Sequence, residues 1–180
     1  MLLTRLVENN GMNQNEFVQR VTPFKDKIFR LAKRLLLSTA EAEDATQEVL
    51  IKLWRKNESL DSYASLEAFA MTITKNYCLD QLKSKRASHL RVVSDDYTDS
   101  AAGVHQRTED LDSWAWVEKS INALPEPQRL IVQMRDIEQY EFEEIAKILE
   151  MKETAVRVAL SRARKTIREF MIKTHSHGIR

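Results

Sequence analysis

Phe142-Glu-Glu-Ile-Ala-Lys-Ile-Leu-Glu-Met-Lys-Glu-Thr-Ala-Val156, in the C-terminal half, contains two helical patterns separated by a short turn. Ile145, Ala146 and Leu149 recur at the spacing of one helix face, and a second helical pattern begins at Glu153. The turn between the two helices is only three or four residues long, and the small Ala146 permits them to cross closely. This spacing predicts a helix-turn-helix motif.

The second helix of the motif has an apolar side and a basic side. Its apolar side consists of Val156, Leu160, Ala163 and Ile167. Residues 153–168 carry five basic groups and one acid. On a helical wheel, the opposite face combines short side chains, which permit close approach, with cations that reach phosphates or guanine edges. We therefore predict that this face binds DNA, the alternative being an ordinary solvated helix with a basic bias. The predicted DNA-binding residues are Thr154, Arg157, Val158, Ser161, Arg162, Lys165 and Arg168.

The sequence before the motif predicts two more helices in the same domain. The first carries the apolar stripe Trp114, Val117, Ile121 and Leu124. Pro125 and Pro127 end that helix and open the next, over roughly 126–138, because proline fits a first helical turn. A helical domain is thus expected over 113–173.

The N-terminal half predicts three helices over 12–86. Apolar residues step by three and four from Phe17 to Leu35, which indicates the first helix. Ser38-Thr39-Ala40-Glu41 is a capping box that begins the second, which runs to about Asn57 with its apolar side turned inward. The apolar residues expected on that inner side are Ala42, Ala45, Val49, Leu53 and Trp54. Residues 60–65 form a polar break, and a third helix follows. Its residues expected to point inward are Leu66, Phe69, Ile73 and Tyr77.

Residues 87–112 separate these two halves. Within them, residues 94–112 hold six acids against one arginine and few large apolar groups. Such a segment buries too little surface to offset its ordering entropy. We predict a flexible acidic linker and an all-α fold of two small helical domains.

The composition excludes several classes of protein. The 180 residues include only 3 Gly and 3 Pro, no run of about 18 apolar residues and a single cysteine, Cys78. No signal-peptide pattern begins the chain. We expect a cytoplasmic protein that does not insert into membranes, with Cys78 as a packing residue. The net charge of +1 is small for a DNA-binding protein that acts alone, so a partner is expected to supply part of the affinity for DNA.

The sequence does not group potential catalytic or metal-binding residues in the spacing of a known enzyme motif. The histidines lie in the linker and the C-terminal tail, and His175 and His177 lack further metal ligands nearby. There is no glycine-rich phosphate loop. We predict no catalytic residue, no metal site and no cofactor.

Four segments resemble one family, the extracytoplasmic-function sigma factors of bacterial RNA polymerase. The helix-turn-helix, with Leu124-Pro-Glu-Pro-Gln-Arg129 before it, is similar to the promoter-reading domain of that family. Asp44-Ala-Thr-Gln-Glu-Val-Leu-Ile-Lys-Leu-Trp-Arg55 resembles the helix that such factors present to the polymerase clamp. Ile73-Thr-Lys-Asn-Tyr-Cys-Leu-Asp-Gln-Leu-Lys83 resembles the helix at the upstream edge of the melted promoter. The chain departs from the family at Glu150, where glycine is common, and at Lys152, where a Ser or Thr cap is common. Val158 and Ala159 replace residues that are often polar, so the DNA sequence read cannot be transferred.

The resemblance implies partners and roles. Core RNA polymerase is the implied partner of Asp44, Gln47, Glu48, Leu50, Ile51 and Arg55. Promoter DNA and an anti-sigma factor are the other implied partners, and the free chain is expected to be a monomer.

A base flipped out of the melted promoter is implied to enter a pocket between the 60–65 loop and the third helix. Such a base needs a polar edge-reader and an aromatic wall. Asn76 and Tyr63 are the candidates. The competing interpretations are that Tyr63 folds onto the core and that Asn76 caps a helix or simply faces solvent. The basic residues predicted to hold the backbone are Lys75, Lys83, Lys85 and Arg86.

The sequence is also compatible with two other functions. A dimeric helix-turn-helix regulator explains the C-terminal domain but leaves residues 44–55 and 73–86 without a role. A helical adaptor that never touches DNA would keep working without the basic face of 157–168.

Overall fold

The computed structural model describes residues 12–92 and 109–177, and within these ranges it is helical, with no strand. This confirms the predicted all-α fold. The described part of the chain contains seven α-helices, numbered α1 to α7, which span Gln14–Leu36, Thr39–Trp54, Leu66–Val92, Glu109–Asn122, Glu126–Val132, Phe142–Leu149 and Glu153–His177.

Polar side chains cap the N-termini of the first two helices. Asn13 caps α1 by accepting a hydrogen bond from the backbone N–H of Glu16 at 2.9 Å. Leu37, in the left-handed conformation, ends it. The hydroxyl of Ser38 then accepts from the N–H of Glu41 at 3.4 Å, so α2 begins where the capping box predicted.

The segment predicted as a polar break contains a short helix. Residues Asn57–Ser62 form a 3₁₀ helix, and Leu60 within it is fully buried. Trp54, expected inside, is 38% exposed, and its ring meets Phe17 edge-on. The break therefore folds back onto the core through one leucine, while the tryptophan remains at the rim.

The inner side of α3 differs from the prediction. The residues expected inside are only half-buried, whereas Ala70, Met71, Thr74 and Cys78 are fully buried. This helix packs against α1 and α2 on one side and against α6 on another. A helix covered from two directions lacks a single apolar stripe, so its sequence pattern did not indicate which side is deepest. Burial raises the pKa of the Cys78 thiol to about 12, as suits a packing residue.

The helix predicted over 126–138 ends in a widened turn. After α5, Gln133–Ile137 forms a π-helical turn in which the N–H of Glu138 bonds the carbonyl of Gln133 at 3.0 Å. The extra residue in this turn brings the Gln133 amide within 2.9 Å of the Glu138 carboxylate. Both side chains are buried.

The predicted linker, 87–112, is entered by helices from both sides. Helix α3 continues to Val92 and α4 begins at Glu109. Residues 93–108 lie outside the part of the chain that the structure describes.

The two groups of helices share an interface. Helix α1 packs on α5 and on the π-helical turn, and α3 packs on α6. Buried residues of both groups form one continuous apolar cluster. The helix-turn-helix is thereby held at a fixed place on the N-terminal helices.

Candidate nucleic-acid interface

Helices α6 and α7 form the helix-turn-helix. A capping box begins α6, in which the Glu144 carboxylate accepts from the N–H of Glu141 at 2.9 Å. The turn is made by Glu150 in the left-handed conformation (φ 56°), after which the N–H of Met151 bonds the carbonyl of Ala146 at 2.9 Å. Glycine adopts this conformation without steric cost, which explains its frequency at such turns. Glu150 adopts it despite its Cβ.

All of the residues predicted to bind DNA on α7 are exposed, and the predicted core residues lie on the opposite side. Val156, Leu160 and Ala163 are buried, and Ile167 is half-buried. The exposed set is Thr154, Arg157, Val158, Ser161, Arg162, Lys165 and Arg168. The helix therefore presents one polar, mainly cationic face to solvent, which is the geometry required to enter a major groove.

Neighbouring groups already hold some of these cations. The guanidinium of Arg157 lies 3.9 Å above the Phe142 ring and donates to Glu153 at 3.0 Å. Lys165 lies 3.8 Å from Glu169. Arg162 makes no side-chain hydrogen bond or ion pair with any residue in the described ranges. Arg162, like Arg168, therefore needs to release no such partner within the described ranges before it meets DNA.

The structure separates the predicted residues of the N-terminal domain into two groups. Tyr63 is half-buried and its ring stacks on Phe69, with centroids 3.7 Å apart. Asn76 and Lys83 follow Phe69 at intervals of seven residues, which places all three on one face of α3. The stacked rings, the exposed amide and the exposed ammonium thus form one surface that a single strand could follow.

The other predicted cations lie elsewhere. Lys75 is 6% exposed and donates to Glu150, at the turn of the helix-turn-helix, at 2.9 Å. This hydrogen bond lowers the pKa of the Glu150 carboxyl. Lys85 donates to Glu41 on α2. Arg86 lies in α3, but its side chain is outside the described part of the structure.

The predicted polymerase-binding residues form one side of α2. Asp44, Gln47, Glu48, Ile51 and Arg55 are exposed, and Leu50 is half-buried. Ile51 is 41% exposed beside the 38% exposed Trp54. This face combines acids and an amide with solvent-exposed apolar surface, which suits a basic helical partner.

A polar network between the domains was missed from the sequence. Arg30 on α1 donates two hydrogen bonds to Glu138, at 2.6 and 2.7 Å. Arg34 donates to Gln133 at 3.0 Å and to Asn122 at 2.6 Å. The Glu138 bond raises the pKa of Arg30, whereas burial lowers that of Arg34.

A second part of this network lies beside α3. The Tyr140 hydroxyl and Lys27 both donate to Glu67 on α3, and Lys27 also lies 5.0 Å from the centre of the Tyr140 ring. Burial, followed by the hydrogen bond to Glu67, raises the pKa of Tyr140. Single arginines and lysines on a predicted helix give no sign of such distant partners.

The described ranges contain neither a cluster of metal-binding side chains nor a helix suited to cross a membrane. No group of three or more acidic, histidine or cysteine side chains is arranged to hold a metal ion there. None of the helices in those ranges is both long and apolar enough to cross a membrane.

The fold and the exposed face of α7 define a two-domain helical protein with a C-terminal helix-turn-helix. Two family models match it, Sigma-70 region 2 over residues 21–88 and Sigma-70, region 4 over residues 114–167. Together they cover most of both helical groups. The chain belongs to the extracytoplasmic-function (ECF) sigma factors.

Individual relatives show how far the similarity extends. The ECF RNA polymerase sigma factor SigE of Mycolicibacterium smegmatis is 29% identical over 154 residues, which cover 84% of this chain and 60% of the relative. SigW of Bacillus subtilis is 24% identical over 179 residues, covering 94% of this chain and 96% of the relative. The sigma factor RpoE of Bartonella quintana, solved with the anti-sigma factor NepR, shares the fold, with a TM-score of 0.74 and 23% identity over 87% of this chain and 97% of that one.

Proposed function

We propose that this chain binds core RNA polymerase and directs it to promoters, with α7 reading the upstream promoter element. The observation that carries the proposal is the outer face of α7, where every residue predicted to bind DNA is exposed and the core residues lie opposite. Family membership supplies the reaction, which is transcription initiation.

The N-terminal domain is proposed to make the other two contacts. The exposed side of α2 binds the polymerase clamp. The surface formed by the Tyr63–Phe69 stack, Asn76 and Lys83 takes the melted strand, with the base edge read by Asn76. Lys75, Lys85 and Arg86 remain proposed backbone contacts, and Lys75 reaches DNA only after its bond to Glu150 breaks.

The proposed domains are 12–86 and 113–173, joined by the acidic segment 87–112. A protein with this function works on polymerase and DNA, and we propose a cytoplasmic location. Regulation by an anti-sigma factor is part of the proposal, supported by the similar fold of RpoE, which was solved with NepR.

Transcription in vitro tests the function. Core polymerase is incubated with a library of promoter fragments, with and without the chain, and the RNA products are sequenced. Chain-dependent initiation at a shared sequence is the expected result. Initiation that is the same with and without the chain would contradict the proposal.

Gel shifts without polymerase distinguish a sigma factor from a dimeric helix-turn-helix regulator. A dimeric regulator binds DNA tightly alone. A sigma factor with a net charge of +1, whose two domains pack on each other in the free chain, binds DNA weakly until polymerase holds the domains at the spacing of the promoter. Both basic surfaces then contact the same DNA, and the second contact adds to the first.

A further inference from the structure

Val158 is an apolar residue on the side of α7 that faces away from the core. It is 49% exposed, and it lies about 200° around the helix from the buried Val156 at 100° per residue. Thr154, Ser161 and Lys165 are its neighbours on this side, and each of them is polar or charged. The cationic face of α7 thus carries a branched hydrocarbon on the side opposite the core.

Val158 also borders an open groove between α7 and the start of α5. The α5 side of the groove is contributed by Pro125 and Pro127. Ala155 and Ala159 line the α7 side with short side chains, and Arg162 closes it with a cation. The surface around Val158 is therefore mainly apolar and low in profile, with positive charge at its margin.

We propose that Val158 reads a thymine of the upstream promoter element by contact with its C5-methyl group. In the major groove, the methyl group of thymine is the one apolar feature that a base pair offers, and apolar side chains recognise it. The cations around Val158 match the phosphates on either side of the groove, and so favour DNA as the occupant of this surface. The inference rests on the proposed function, because it names a specificity-determining residue of the same DNA-reading face.

The competing explanation is an incidental surface valine, since single exposed apolar residues are common on proteins. Valine is also a weaker helix former than alanine. Val158→Ala is therefore expected to leave α7 folded, and its effects on DNA then report on recognition alone.

The experiment replaces thymine methyl groups one at a time. The preferred upstream element is first selected from a randomised library by transcription with the wild-type chain and core polymerase. Each thymine on either strand is then replaced singly by 2′-deoxyuridine, which pairs as thymine does and lacks only the methyl group. With the wild-type chain, one or two positions should lose transcription by about fourfold each, equivalent to about 0.8 kcal/mol for one buried methyl group. Val158→Ala should transcribe the thymine and uridine templates equally at those positions.

Val18→Ala is the matched control. Val18 is 50% exposed on α1, so the same methyl groups are removed from an equally exposed site away from α7. It should keep the wild-type uridine response. The inference is overturned if the wild-type chain ignores every uridine, if the selected element contains no thymine, or if Val158→Ala keeps the same response. Failure of the proposed function is distinct, because the wild-type chain would then direct no promoter-dependent transcription on any thymine template.

Discussion

At the scale of single residues, the outer face of α7 contains two kinds of cation. Arg157 is fixed by Phe142 and Glu153, whereas Arg162 makes no side-chain hydrogen bond or ion pair within residues 12–92 and 109–177. An arginine that forks onto a guanine selects sequence, while a cation on phosphate adds affinity for every sequence. Loss of an arginine that binds guanine should therefore change promoter preference, whereas loss of a cation that binds phosphate should weaken all promoters alike.

Arg162→Ala is expected to weaken transcription from the preferred promoter and to relax preference at one or two upstream positions. The loss should be about 1–3 kcal/mol of discrimination, because a bidentate contact to guanine is removed. Arg157→Ala should act in the same direction. A promoter library with single substitutions in the upstream element, transcribed with each variant, measures both.

Lys165→Ala is the matched variant for phosphate contact. It should weaken all promoters about equally and reduce the salt dependence by about one ion. If both arginine variants keep the wild-type sequence profile, this face does not read bases.

Individual residues also differ in how far the sequence predicted their surroundings. The exposure of Arg162 followed from helical spacing alone, because its helix has one strongly apolar side. Lys75 was expected at a DNA backbone, but it is 6% exposed and its ammonium donates to Glu150 of the other domain. Pairing across 75 residues of sequence leaves no local pattern.

At the scale of elements, α2 separates an inner face from an outer one. Its inner residues Ala42, Ala45 and Val49 are fully buried, and its outer acids and amide are exposed. Small inner residues let α2 lie close to α1 while the opposite side remains open to a partner. The polymerase-binding prediction can therefore be tested without disturbing the core.

Gln47→Ala combined with Glu48→Lys should abolish binding to core polymerase and leave the helical content unchanged. Both side chains are exposed, and reversing one charge places like charges against a basic partner. Co-purification with core polymerase and circular dichroism measure the two effects. Glu58→Lys, a charge reversal at an exposed residue outside α2, serves as the control and should bind as the wild type does. Unchanged co-purification of the double variant would remove α2 from the interface.

The elements also differ in how far the sequence predicted them. Helix α6 contains the predicted face of Ile145, Ala146 and Leu149, and a capping box and a left-handed turn bound it. Helix α5 was predicted too long, since its last part widens into the π-helical turn around the buried Gln133 and Glu138. That turn belongs to the contact between the domains, which periodicity within one helix does not record.

At the scale of the whole molecule, charged groups link the two domains. The Glu138 side chain is only 2% exposed and is held by Arg30 and the Gln133 amide. A buried carboxylate that loses its cation is left with a desolvation cost. Arg30 of α1 therefore contributes to the contact between the domains by neutralising this carboxylate.

Arg30→Ala should lower the free energy of unfolding by about 1–3 kcal/mol. Removing one partner of a fully buried ion pair typically costs more. Because Arg30 is 44% exposed, solvent weakens its attraction to Glu138. Urea unfolding measures the loss. The double variant Arg30→Ala with Glu138→Gln should recover part of it, since no buried charge remains unpaired. Strictly additive effects would show that the two groups are not coupled.

The acidic segment between the domains should be cut before the domains themselves. Trypsin is expected to cleave first at Arg91 and Arg107, within or beside the predicted linker, and to leave two helical fragments. Mass spectrometry of a time course identifies the order of cleavage. Early cleavage inside 12–86 or 113–173 would make the domain boundaries wrong.

We propose that core polymerase and this chain together recognise a promoter that neither recognises alone. DNase footprinting on the promoter selected by transcription tests it most directly. The predicted result is protection of the upstream element when core polymerase and the chain are both present, and none with either alone. Protection by the chain without polymerase would contradict the claim and favour a regulator, and absence of protection in the mixture would contradict it in favour of an adaptor.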